Sequence, residues 1–260
     1  MQEHYSDSKD EVSWKGLSFQ PAQSFDQFMS TQAIPRLTDA DFASEFEEHL
    51  KGLTSTGFGE ENLSVLLEAE IPETRSWAIG EAIAEAWLEL NEQVIWPWHH
   101  DRDKRTPKAS LPGKDLIGFA RDEQGQAYFV FGEVKSSSQA QSPPNVLNGA
   151  KGMIKQIEEV VNDRSIVHQL VRWLFARCKG TEFEEDFNEA TSRLFESGLT
   201  DFSLYGILIR DTAPNSADLS GRATAISTQI SNPTDCQLVA LYLPCAIGEL
   251  PSYVTEPEDD

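Results

Sequence analysis

The chain has 260 residues, 39% of them hydrophobic and 25% charged, with six Trp and fourteen Phe, which is enough apolar material for a full core. No apolar stretch approaches the roughly 20 residues of a membrane-spanning helix. Met1–Asp10 is too polar for a signal peptide, and Cys178, Cys236 and Cys245 lack zinc-like spacing, so a cytoplasmic protein that does not enter a membrane is expected. The net charge of −22 excludes a uniformly basic nucleic-acid binder.

In chain order, residues 1–72 read as an N-terminal appendage. Trp14–Phe28 is irregular and aromatic. Thr38-Asp39-Ala40-Asp41 opens a helix running through Leu50 and closed by Lys51-Gly52. Gly57 and Gly59 break the pattern before a second helix over Glu61–Glu68. Trp14, Phe19, Phe25 and Phe28 belong either to the core or to a surface that docks a partner.

Residues 73–250 read as the main domain. Thr74–Leu90 carries Trp77, Ile79, Ile83, Trp87 and Leu88 at helical spacing. A short strand follows at Val94–Trp96, then a polar loop from His99 to Leu111. Leu116–Phe119 and Ala127–Lys135, joined by a polar turn, predict a β-hairpin. Ser142-Pro143-Pro144 breaks the chain before a helix over Asn145–Val161. Helices at Arg164–Cys178 and Glu182–Ser197 come next. Phe202–Ile209 and Gln237–Leu243 read as strands, separated by a polar loop region, and residues 251–260 as an acidic tail. Strands interleaved with helices predict an α/β architecture, a sheet covered on its faces.

The hairpin holds the chemistry. Alternation along a strand puts Phe129, Phe131, Glu133 and Lys135 on one face, with Asp115 at the head of the partner strand. Two carboxylates and an ammonium at one end of a hairpin suit a divalent cation and phosphodiester hydrolysis. An edge-strand ion pair between Glu133 and Lys135 is the plain structural alternative. The site also lies in the basic part of the chain: Trp98–Lys155 carries nine Lys and Arg against six Asp and Glu.

Other chemistries lack their motifs. Pro112-Gly113-Lys114-Asp115 does not complete a P-loop, and no Gly-x-Ser-x-Gly elbow, Gly-x-Gly-x-x-Gly fingerprint or Cys-x-x-Cys pair is present. His99-His100-Asp101 has metal-ligating residue types, yet adjacent histidines seldom aim at one ion. With Arg102, Lys104, Arg105 and Lys108, that loop reads as a phosphate-contacting edge or as a solvated loop.

Asp115, eighteen residues ahead of Glu133-Val134-Lys135 on a paired strand, resembles the PD-(D/E)xK nuclease signature, with Lys114 where the motif has proline. The resemblance implies a restriction-endonuclease-like core, a central mixed sheet flanked by helices. It implies that Asp115 and Glu133 bind Mg²⁺, with Mn²⁺ able to substitute, and that Lys135 positions the attacking water. It further implies a glutamate on the preceding helix that reaches the same metal, Glu81 or, one turn on, Glu85. Phosphate or DNA contacts would come from Lys151, Lys155 and Gln156 on the helix after the hairpin, with Lys114 and Arg105 near the site.

Leu111-Pro112-Gly113-Lys114-Asp115-Leu116-Ile117-Gly118-Phe119, Phe131-Gly132-Glu133-Val134-Lys135-Ser136-Ser137 and Gly80-Glu81 resemble the HamA-type nuclease subunit of Hachiman antiphage defence. The resemblance spans roughly Thr74–Leu243. It implies a DNA endonuclease that acts beside a superfamily 2 helicase subunit, HamB, which engages the DNA while the nuclease is restrained. A catalytically inactive nuclease-fold scaffold for such a helicase is the alternative from another class.

Overall fold

In the computed structural model, which describes residues 1–53, 56–68, 75–99, 103 and 113–255, six strands make one mixed sheet. They are β1 (Gln2–Lys9), β2 (Val12–Ser18), β3 (Leu116–Arg121), β4 (Ala127–Ser137), β5 (Phe202–Arg210) and β6 (Asp235–Tyr242), in spatial order β1-β2-β6-β5-β4-β3. The four inner strands run parallel, and β1 and β3 close the edges antiparallel. The helices are α1 (Ala22–Phe28), α2 (Ile34–Thr38), α3 (Ala40–Leu53), α4 (Gly57–Glu68), α5 (Ser76–Glu92), α6 (Met153–Asn162), α7 (Arg164–Cys178), α8 (Glu184–Glu196) and α9 (Ser220–Ile226). The expected α/β class is therefore observed, a sheet with helices on both faces.

Burial follows the sequence patterns. β5 reads Phe-Ser-Leu-Tyr-Gly-Ile-Leu-Ile-Arg, and all nine positions are buried. An almost continuous apolar run suits a central parallel strand covered on both sides. The β3–β4 turn is organised by Asp122, whose Oδ1 accepts the N–H groups of Gln124 at 3.0 Å and Gln126 at 2.9 Å.

The sheet's two faces carry different helices. On the face of Phe129, Phe131 and Glu133, α6 presses so close to β5 that a Cβ on Gly206 would lie 2.8 Å from Met153 Sδ. Phe187 of α8 meets Phe129 edge-on at 6.0 Å. Phe119, Phe129 and Phe131 are fully buried there, each stabilising the fold by about 1.5–3 kcal/mol. On the other face α5 crosses the end of β4, where a Cβ on Gly80 would come within 2.6 Å of Ser136 Oγ.

Residues 1–72 need correction. Trp14–Ser18, the start of the Trp14–Phe28 stretch read as irregular, belongs to a sheet strand, Val12–Ser18, parallel to β6 with Val12, Trp14, Gly16 and Ser18 turned inward. Its partner lies more than two hundred residues away, so no local pattern announces the pairing. Trp14, Phe19 and Phe25 are 6%, 4% and 0% exposed and belong to the core, with Phe28 packed against it. They are not a docking surface.

Smaller differences follow from local chemistry. Gly57 and Gly59 sit within α4 instead of breaking it. The predicted helix over Asn145–Val161 is a 3₁₀ turn (Asn145–Leu147), then a turn closed by Gly152 N–H to Gly149 O at 3.0 Å, then α6. The polar loop after β5 contains α9. Of the acidic tail, Pro251–Tyr253 completes a 3₁₀ turn and Tyr253 donates to Asp26 at 2.8 Å, while 256–260 lie outside the described residues. Among the described residues, no helix is long and apolar enough to cross a membrane.

Candidate active site

The hairpin register builds the site. Leu116 lies opposite Gly132, so Asp115, one residue before β3, is level with Glu133. Beyond this point β4 runs on to Ser137 while β3 has no further residues. Asp115 caps this open edge: its Oδ2 accepts the Val134 N–H at 2.9 Å. A carboxylate thus satisfies a backbone donor that β3 would have met had it continued.

Lys135 completes the group. Its ammonium donates to Glu133 Oε1 and lies 3.9 Å from Asp115 Oδ2. Asp115 and Lys135 are each 24% exposed at the side chain, whereas Glu133 is 2% exposed. The site is therefore a shallow rim of Asp115 and Lys135 over a buried acid.

That burial governs the electrostatics. Desolvation, reinforced by the Asp115 charge and opposed by Lys135, pushes the Glu133 carboxyl up from its ordinary 4.5 to about 8. Its second oxygen, Oε2, is buried with no hydrogen-bond partner. Two like charges this close disfavour joint ionisation, which favours the protonated form of Glu133. A buried, unsatisfied carboxylate oxygen beside a second carboxylate fits a hard divalent cation.

The remaining predicted residues divide. Glu81 is half-buried on α5, next to the glycine that rests on Ser136. Glu85 is fully buried, with Oε2 3.6 Å from Arg36 Nη1 of α2, which commits it to the α2–α5 contact. Among the described residues, no three His, Cys, Asp or Glu side chains are grouped as a metal site; Asp115 and Glu133 form a pair.

Lys114 is structural: it is 4% exposed, donates to the Gln156 carbonyl at 2.8 Å and lies 3.5 Å from Glu159 Oε2. It ties the residue before Asp115 to α6 and cannot face a phosphate in bulk solvent. Gln156 is half-buried, and its side-chain Oε1 is buried without a hydrogen-bond partner. Lys155 is exposed and 3.5 Å from Glu158. Lys151 is exposed but precedes α6, so the expected one-turn pairing with Lys155 on a common helix does not occur. Arg105, like His100, Asp101, Arg102, Lys104 and Lys108, lies outside the described residues, and His99 faces Asp39 at 3.4 Å.

Sequence reasoning missed Arg210. It is fully buried at the end of β5, donates to Ser137 O at 2.9 Å and Gln141 O at 3.3 Å, and pairs with buried Asp218 at 3.3 Å. It thereby anchors the segment of β4 that runs past Asp115. A lone arginine closing an otherwise apolar strand was the available signal.

No family model matches the chain, and no curated protein and no solved structure matches it significantly.

Proposed function

We propose that the chain is a metal-dependent DNA endonuclease of the PD-(D/E)xK type, the effector subunit of an antiphage defence complex that works beside a superfamily 2 helicase. One observation carries the nuclease reading: Asp115, Glu133 and Lys135 converge at the open end of the hairpin, with a buried Glu133 oxygen left without a partner. The defence and helicase parts are supported by the motif resemblance at 111–119 and 131–137.

Asp115 and Glu133 would hold Mg²⁺ or Mn²⁺, which when bound supplies charge neutralisation at the phosphate and a more acidic water. Asp115 is oriented by the Val134 N–H, so its carboxylate is held in place without a cost in side-chain freedom at the moment of reaction. Lys135, fixed by Glu133, presents a positive charge at the rim, where a phosphate's developing negative charge would be stabilised. Glu133 would give up its proton to hold the cation, and its burial would keep water from competing for the inner oxygen.

The test is incubation of the purified chain with plasmid and linear DNA under Mg²⁺, Mn²⁺ or EDTA, with and without the helicase, with Glu133→Ala alongside. Metal-dependent cleavage lost in the variant is expected. A second reading, a catalytically inactive scaffold, is favoured by the absence of a three-ligand group among the described residues. Co-purification with the helicase but no cleavage under any condition would establish it.

A further inference from the structure

Among the described residues, arginines withdrawn from solvent are paired with carboxylates, with one exception. Arg36, Arg177, Arg193 and Arg210 each meet an Asp or Glu. Arg222 of α9 is half-buried as well, yet among the described residues its guanidinium makes no hydrogen bond and no ion pair. A chain with 43 acidic side chains against 21 basic ones does not lack carboxylates. Partial desolvation of an unpaired charge costs free energy that a bound anion would recover.

The surroundings say which anion fits. Arg222 lines a cavity of about 420 Å³ between α9 and α6, together with Lys155 and Glu158. Buried Leu147 and Ile154 give it an apolar side, where charge is screened less than in open water. Glu158 is already committed: its Oε2 lies 3.5 Å from Lys155 Nζ, and its Oε1 accepts from Gln229 Nε2 at 2.9 Å. The lining thus holds two cations against one carboxylate, and Arg222 is the cation left over. A guanidinium's planar fork matches phosphate oxygens in pairs, and an ammonium adds a point charge beside it. A terminal phosphate has three strong acceptor oxygens and more charge than a carboxylate, so it can meet both cations at once.

We propose that the α6–α9 cavity binds a terminal phosphate group, with Arg222 as its principal ligand and Lys155 beside it. Asp115, Glu133 and Lys135 take no part, so this stands independently of the nuclease reading. The test is calorimetric titration of the full chain in EDTA at constant ionic strength, with inorganic phosphate, a nucleoside 5′-monophosphate, or chloride as the control. Phosphate binding is expected, and Arg222→Gln should weaken it about tenfold with an unchanged thermal melt. Arg222→Lys, which keeps the charge and loses the fork, should recover only part of that loss, and Lys135→Ala none of the binding should depend on. Tighter binding of the monophosphate would assign an ester as the ligand, and equal binding the phosphate group alone; either supports the site. Hydrogen exchange on the wild-type chain should show phosphate-dependent protection over Leu147–Glu158 and α9, a readout that survives an unstable variant. Phosphate heats no larger than those of chloride, equal affinity in Arg222→Gln, or binding lost in Lys135→Ala instead would overturn the proposal.

Discussion

Asp115 and Glu133 stand level across the open end of the β3–β4 hairpin, and Asp115 Oδ2 takes the Val134 N–H at 2.9 Å. The same carboxylate therefore terminates the sheet edge and raises its neighbour's proton affinity. Edge geometry and site electrostatics are one arrangement, and the predictions below separate its parts.

Glu133 makes stability depend on pH in an unusual direction for a carboxylic acid. In the unfolded chain its proton leaves near 4.5, in the folded chain near 8. Between those values the folded state holds the extra proton, so this contribution is full below 4.5 and lost as pH rises toward 8. Glu133→Gln, which cannot ionise, should melt higher than wild type at pH 8 and close to it at pH 5. The difference should be on the order of a few kcal/mol. Equal melts at both pH values would refute the burial argument.

Cation binding should show the opposite trend. If Asp115 and Glu133 hold the proposed cation, loading would displace the Glu133 proton, so stabilisation by Mn²⁺ should be small at pH 6 and grow toward pH 8.5. Thermal melts with Mn²⁺ and with EDTA across that range measure it. Glu133→Gln should flatten the dependence.

Lys114 separates a structural role from a phosphate contact. Its ammonium is committed to the Gln156 carbonyl and Glu159. Lys114→Met should lower stability by about 1–3 kcal/mol by removing a buried charge-assisted hydrogen bond and the pairing with Glu159. If the proposed DNA binding exists, Lys114→Met should leave its salt dependence unchanged, whereas removal of a true phosphate contact would reduce that slope by about one.

Arg210→Ala should destabilise by about 3–5 kcal/mol, because Asp218 would be left as a buried uncompensated charge and Ser137 O would lose its donor. Urea unfolding gives the number. If the proposed nuclease activity exists, it should fall more in this variant than the stability loss explains under conditions where the protein stays folded, since the anchored end of β4 carries Lys135.

Much of this molecule was legible without coordinates. The hairpin, β5, β6 and helices α5, α7 and α8 announce themselves through local periodicity and turn chemistry, because their faces are set by neighbours in the chain. The alternation that aligns Phe129, Phe131, Glu133 and Lys135 is equally local, and the register then brings Asp115 to them. Sequence by itself thus determined the α/β class and the three-residue constellation. What it could not decide depends on contacts between distant segments. Val12–Ser18 becomes a strand only because β6 lies beside it, and Trp14 and Phe25 become core by the same packing. Lys114 is buried because α6 lies over it, Glu85 turns to Arg36 because α2 crosses α5, and the proton affinity of Glu133 rises because helices and sheet exclude water around it. Periodicity reports which face of an element is apolar, while burial, proton affinity and partner choice are properties of what is packed against that face, and these the tertiary structure alone decided.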